Sequence, residues 1–407
     1  MKSVTGLILA GGRGTRMDIL CTIRPKPTLP YAGIYRVIDF TLSNCVKSGI
    51  TNIAALVDHQ RTEMTRYLRR WHSSNRGIRS LSILHPRNGS YVGTADAVYR
   101  NLDFLNRQDS DTVMILAGDH IYKMDYSEML DFHRRSGADA TVGVVRVPIG
   151  EAYRFGTVLT EADGRITEFV EKSPRPRSDM ASMGIYVFNK DLLSAFVEED
   201  AANPLSRHDF GYAILPRILE RGRLFAFEFD DYWQDIGTVD AYYESHMDLL
   251  GESPKFRTNS GWPVLRKRNS YPKQASRERE NIVNSIVGPG CVVDGYVENS
   301  VLSPGVRIAR GAMVRNSIVM ANSRVGHHTI VERCILDERV KVGEFCFVGF
   351  GAGAMAATET NITVLGAGVT VPNHTAIGQS CLISPYAGPE EFTSNAIPSG
   401  TVISSPA

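Results

Sequence analysis

Along the first 250 residues, short apolar runs alternate with stretches of helical periodicity. GLILA (6–10), NIAALV (52–57) and TVMILAG (112–118) are too short for helices and too uniformly apolar for half-exposed strands, so they predict buried strands. Between them, residues 63–71 and 95–105 carry apolar positions at helical spacing. Such alternation predicts βαβ units, a mostly parallel sheet and a ligand site at the carboxyl ends of its strands. VTGLILAGGRGTRM (4–17) puts three glycines and two arginines at one of those ends.

From about residue 250 the pattern changes. SPKFRTNSGWPVLRKRNSYPKQASRERE (253–280) mixes Pro, Ser, Asn and charge without a period and reads as a linker. Beyond it NSIV (284–287), NSVL (299–302), NSIV (316–319) and RCIL (333–336) recur at spacings of 15, 17 and 17 residues, each followed by a turn. Periods near three times six predict a parallel β-helix of the left-handed kind, whose coils bury their aliphatic residues only by stacking on one another. An ordinary β-sandwich with regular turns explains the fourfold tetrapeptide less well. After residue 351 the pattern loosens, then resumes weakly in ITVLGAGVTVPNHTAIG (362–378). The expected domains are 1–252, a linker over 253–280 and a solenoid over 281–407.

Composition adds limits. With 407 residues, 43% hydrophobic and 22% charged, the chain can bury sizeable cores. Its net charge of +1 argues against a general nucleic-acid binder. Yet the first 40 residues hold Lys2, Arg13, Arg16, Arg24, Lys26 and Arg36 against Asp18 and Asp39, a local +4 that suits a small polyanion. There is no signal-peptide core and no apolar run of membrane-spanning length, so the expectation is a cytoplasmic protein that meets no membrane. The six cysteines are scattered without ligand spacing and read as reduced and mostly buried.

Two familiar glycine loops fail on residues. A Walker A loop needs Gly-Lys-Ser/Thr where Gly14-Thr15-Arg16 stands, and a dinucleotide fingerprint from Gly12 needs a third glycine where Met17 stands. What remains is a loop whose backbone N–H groups approach phosphate oxygens at Gly11, Gly12 and Gly14, with Arg16 as a charge-assisted donor. The bland alternative is a tight turn with solvated arginines. Against it, RPKP (24–27) brings Arg24 and Lys26 within ten residues.

LILAGGRGTRM followed by a Lys-Pro resembles the signature of sugar-1-phosphate nucleotidylyltransferases. YRVIDFTLSNC (35–45), YVGTADAVYRNLDF (91–104), LAGDHIYKMDY (116–126), EFVEKSPRP (168–176), ASMGIYVFNKDLL (181–193), SRHDFGYAILP (206–216) and YWQDIGTVDAYYESHMDLL (232–250), in this order and followed by a hexapeptide solenoid, are similar to the bacterial branch that makes ADP-glucose. The resemblance covers the chain to about residue 350. It implies an α/β fold, a Rossmann-like mostly parallel nucleotidyltransferase domain followed by a left-handed parallel β-helix. It also implies transfer of the adenylyl group of ATP to α-D-glucose 1-phosphate, with Mg²⁺, in glycogen or α-glucan synthesis by a homotetramer.

The resemblance assigns residues as well. Leu9, Ala10, Gly11, Gly12, Gly14, Thr15, Tyr91 and Gly93 are implied to contact ATP, although Tyr91 alone reads equally well as a packed loop aromatic. Arg16, Lys26 and Asp119 are implied to be catalytic, and Asp119 with Asp235 to hold the metal; singly, an Asp after a strand is more often a helix cap. Gly156, Glu171, Lys172, Ser182 and Gly184 are implied to contact glucose 1-phosphate. His208 beside Asp209 has no accompanying nucleophile motif and reads as part of a substrate-side loop.

Departures from the family pattern concern regulation. Ile23 stands where the enteric branch has a lysine, and the stretch after residue 351 lacks basic effector segments. Two rival readings remain: a catalytically silent regulatory subunit, against which the intact Gly11–Arg16 loop, Lys26, Asp119, Lys172 and Asp235 stand, and an enzyme of the same class that uses another base to make dTDP- or UDP-glucose.

Overall fold

The computed structural model describes residues 4–12, 14–259, 261–267, 280–350 and 361–404. Lys2, Arg13, residues 268–279 of the expected linker and residues 351–360 lie outside them. The chain divides into two compact units, Met1–Gly12 with Ile38–Trp233, and Arg13–Val37 with Gln234–Ala407.

The first unit is built on a nine-stranded sheet: β1 (Val4–Leu9), β2 (Asn52–Leu56), β3 (Ser80–Leu84), β4 (Thr112–Ala117), β5 (Ala140–Arg146), β6 (Gly156–Thr160), β7 (Ile166–Glu171), β8 (Met180–Asn189) and β9 (Leu224–Phe229). The apolar runs at 6–10, 52–57 and 112–118 become β1, β2 and β4. These strands and β3 lie parallel in the order β3-β2-β1-β4, so the strand order reverses at β1. β8 then pairs antiparallel with β4 and carries β5 and β6 beside it, with β9 parallel to β5 and β7 antiparallel to β6. The sheet is therefore mixed, and its parallel half is the part the apolar runs predict. Leu7, Leu56, Ile115, Val142 and Phe188 are among the residues of its buried core.

The expected helix over 63–71 forms as Arg61–Ser74, burying Met64, Tyr67, Leu68 and Trp71 along one stripe. The one expected over 95–105 breaks into Thr94–Tyr99 and Leu102–Asn106. At the break, Asn101 donates its side-chain amide to Ala97 O at 2.8 Å, the local bonding by which asparagine competes with a continuous helix.

In the second unit, three sheets of seven, seven and five short parallel strands build the left-handed β-helix. The tetrapeptide repeat has a position-by-position cause. Asn284, Asn299 and Asn316 take φ of 42°, 46° and 47°, the left-handed corner that asparagine tolerates, and Arg333 takes φ 51° in the fourth copy. The next residue forms a ladder: Ser285 Oγ accepts from Ser300 N, Ser300 Oγ from Ser317 N, and Ser317 Oγ from Cys334 N, at 3.0–3.1 Å. The last residue points inward, so that Leu302, Val319 and Leu336 stack in register in the core. The weakly repeating tail continues the same scheme, adding Leu365, Ile383 and Ile403 to that column. All six cysteines are buried and none is in a disulfide, so the burial expected of most of them extends to all. Among the described residues no helix is long and apolar enough to cross a membrane.

Candidate active site

In the first unit the reversal of strand order brings two loops to one edge. β1 and β4 run in register with Leu9 opposite Ala117, so Gly11 and Asp119 each lie two residues past adjacent strand ends. Gly118 N donates to Leu9 O at 3.0 Å, and a Cβ on Gly118 would sit 3.0 Å from that same oxygen; the glycine lets the two strand ends close together. Asp119 keeps a third of its side chain exposed, with His120 Nε2 3.6 Å away, and the His120 ring meets Trp233 edge-on.

The loop glycines prove to have different tasks. Gly12 has nothing within 4 Å of where a Cβ would be, so its backbone lies open to a ligand. A Cβ on Gly11 would come 3.1 Å from Asp58 Cβ, so that glycine serves close packing. Gly14, in the second unit, adopts φ 64° and lies against Cys21 and Lys26.

A second group in the first unit gathers the expected sugar-phosphate residues. A Cβ at Gly156 would come within 2.5 Å of Glu171 Oε2, and one at Gly211 would overlap the same oxygen, so two glycines seat this carboxylate. Burial pushes the Glu171 carboxyl above its usual range, against the pull of Lys172 at 3.2 Å. Lys172 has φ 48° and leaves half its side chain exposed. Ser182 and Gly184 lie at a bulge in β8, where Gly184 (φ 66°) packs near Ala117 and His120. This places the bulge beside the end of β4, two residues before Asp119. Leu9 and Ala10 close β1, with Ala10 N donating to Leu56 O.

Tyr91 and Gly93 belong to a loop held by side chains that sequence reasoning passed over. Asp58 accepts from Tyr91 N at 3.0 Å, and Asn101 donates to the Tyr91 hydroxyl at 2.9 Å. Gly93 admits the backbone of His208, which a Cβ would strike. Asp209 caps the helical turn Phe210–Ile214 and accepts from Thr94 Oγ1, and Nδ1 of His208 pairs with Asp200 Oδ2 at 2.9 Å. These contacts give His208 and Asp209 structural tasks. Asp58 follows an apolar run just as Asp119 does, the one signal that could have found it.

In the second unit Thr15 and Arg16 begin the short helical segment Thr15–Cys21, and both are exposed. Lys26, only 7% exposed, pairs with Asp235 Oδ1 at 3.1 Å. Gly237 lies against both Asp235 and Arg16, so those two side chains converge there. The expectation that Arg24 adds to a free basic cluster is corrected. Arg24 is buried and donates to both carboxylate oxygens of Asp337, at 2.7 and 2.9 Å, while Arg36 pairs with Glu338 at 2.8 Å. Buried charge requires such partners, so much of the local +4 is neutralised within the fold.

The nucleotidyl transferase family model matches residues 5–252, and the model described as GlmU-like, C-terminal hexapeptide matches 270–371. Glucose-1-phosphate adenylyltransferase of Acetivibrio thermocellus is 40% identical over 97% of this chain and 96% of its own length. The protein of the same name from Desulforamulus reducens is 39% identical over 95% and 99%, and that from Thermotoga neapolitana 38% over 99% and 99%. With the sheet, the solenoid and both family models agreeing along the chain, it belongs to the glucose-1-phosphate adenylyltransferases of the nucleotidyl transferase family.

Proposed function

We propose that this chain transfers the adenylyl group of ATP to α-D-glucose 1-phosphate, giving ADP-glucose and pyrophosphate for α-glucan synthesis. The observation that carries the reading is near-full-length similarity to glucose-1-phosphate adenylyltransferases, joined to a strand-end edge where Gly12 is open and Asp119 is partly exposed. An oxygen of the sugar phosphate attacks the α-phosphorus of ATP, and the bond to the β-phosphate oxygen breaks. The nucleophile is already anionic, so the work falls on positioning and on charge.

Leu9, Ala10, Gly11, Gly12, Gly14, Thr15, Tyr91 and Gly93 border ATP in this reading, with Arg16 and Lys26 supplying positive charge to its phosphates. Gly156, Glu171, Lys172, Ser182 and Gly184 take glucose 1-phosphate: Lys172 meets the phosphate and Glu171 accepts from sugar hydroxyls. Asp119 and Asp235 offer hard carboxylate oxygens, a donor set that fits Mg²⁺. When bound, such an ion neutralises charge on the phosphates. The domain scheme of 1–252, 253–280 and 281–407, the cytoplasmic location and the homotetramer are parts of the same proposal.

Pyrophosphate release measured with ATP, UTP, dTTP and GTP in the presence of glucose 1-phosphate tests it. ATP should be preferred. A clear preference for another base overturns the adenylyl assignment, and no turnover with any of them favours the silent subunit.

A further inference from the structure

The Lys26 ammonium is held at its tip by Asp235 at 3.1 Å, and where its flexible stem can bring that charge depends on where its backbone stands. In the second unit that backbone is clamped on both sides. Before it, Arg24 is 5% exposed and lies on the fully buried Asp337 of the solenoid coil. After it, Arg36 donates to Thr28 O at 2.8 Å, and Thr28 Oγ1 donates to Pro25 O at 2.9 Å. Glu338 ties the two clamps together, accepting from Arg24 at 3.3 Å and from Arg36 at 2.8 Å. Asp337 is itself held: its backbone carbonyl accepts from Ser323 Oγ, and its carboxylate accepts from Glu338 N. Between Arg24 and Lys26 stands only Pro25, extended at φ −70° and ψ 146°, and Lys26–Thr28 forms a single turn. Two prolines, Pro25 and Pro27, stiffen the link.

We propose that Arg24 and Asp337 are positioning residues for the nucleotidyl transfer: one coil of the solenoid, through this buried pair, sets where Lys26 presents its ammonium. The proposal rests on the reading of Lys26 as a group that acts on the phosphates. It gives the solenoid a part in turnover, since the coil that ends in RCIL is followed directly by Asp337 and Glu338.

Removing one partner leaves a buried charge, and such a variant can fail to fold. The test therefore uses the paired replacement Arg24→Met/Asp337→Asn, which leaves no unpaired charge at the pair, keeps both sizes close to native and retains an acceptor for Glu338 N. Full-length wild type, this double variant, Lys26→Gln and the triple combination are compared by thermal unfolding and by kcat and KM for both substrates. The double variant should unfold close to the wild-type midpoint, lose about tenfold or more in kcat, and change KM much less. The triple variant should be no slower than Lys26→Gln, because residues that act through one group are not additive.

A folded double variant with wild-type kcat, while Lys26→Gln is slow, overturns the positioning role alone. A triple variant slowed by the product of the two effects overturns it too. A Lys26→Gln enzyme with wild-type kcat overturns the reading of Lys26 and the positioning proposal with it. Should the double variant not fold, Arg24→Lys and Asp337→Asn replace it, and wild-type kcat in both folded singles overturns the role.

Discussion

The sheet unit and the solenoid unit both hold backbone where it would not otherwise stay, and they do so in opposite ways. In the sheet unit each close approach occurs once and is tailored to one neighbour: Gly118 against Leu9 O, Gly93 against His208, and Gly156 with Gly211 around Glu171. In the solenoid one arrangement is repeated, and its occupants change while its task does not. Arg333 stands in the asparagine corner and Cys334 on the serine rung, yet the coil keeps its geometry. A repeated contact is shared over many coils, so a single replacement is tolerated when it meets the same bond. A contact made once has no such reserve.

The sharpest way to break that comparison is at the edge of the sheet. Asp119→Asn removes a carboxylate charge from a partly exposed side chain, so folding should be unaffected while kcat falls roughly a thousandfold, equivalent to several kcal/mol of lost charge stabilisation. Thermal unfolding and pyrophosphate release measure both halves. Near-normal turnover removes Asp119 from the proposed metal site.

Much of this contrast was legible in the sequence, for a physical reason. A buried parallel strand must be continuously apolar and a stacked coil must repeat, so β1, β2, β4 and the NSIV series announce themselves. The pairing of Arg24 with Asp337 did not: the partners are 313 residues apart, and no local pattern tells a buried arginine from a solvated one. The antiparallel pair β6 and β7 was missed too, since GTVLT and ITEFVE carry no unbroken apolar run longer than two residues. Tyr91 remained ambiguous because its partners, Asp58 and Asn101, come from separate elements.

Acid separates buried groups from exposed ones. His246, in the helix Val239–Met247, lies on Tyr242 O through Nδ1 and on Ala32 N through Nε2, so the ring is neutral, donating to one and accepting from the other. Burial lowers its pKa to about 4 from 6.5, a backbone hydrogen bond only partly opposing this. The folded value lies below the unfolded one, so this contribution to stability is complete above pH 6.5, is lost as pH falls toward 4, and is constant below that. The loss is about 3 kcal/mol. Denaturant titrations of wild type and His246→Gln at pH 7, 5.5 and 4 should show the variant with a shallower fall by about that amount. Equal slopes dismiss the assignment.

Gly211→Ala tests a contact made once. The new methyl meets Glu171, whose movement should raise KM for glucose 1-phosphate by about tenfold, at a stability cost of about 1–3 kcal/mol from overpacking. The KM for ATP should change far less. A uniform change in both constants shows that Glu171 is not specific to the sugar side.

The smallest effect is the one that defines the solenoid. Ser317 is fully buried, donates to Arg315 O and accepts from Cys334 N, so Ser317→Ala leaves two backbone groups short of a partner and should cost about 1–3 kcal/mol. One rung on, Cys334 donates through its sulfur to Glu332 O two residues before it. Cys334→Ser restores the residue used on the rungs below and replaces a weak S–H donor by a stronger one, while giving up some apolar volume. These changes oppose each other, and unfolding free energies should agree with wild type within about 0.5 kcal/mol. If the serine variant instead loses as much as Ser317→Ala, the rung is selective for sulfur at that coil, and the solenoid is tailored residue by residue just as the sheet is.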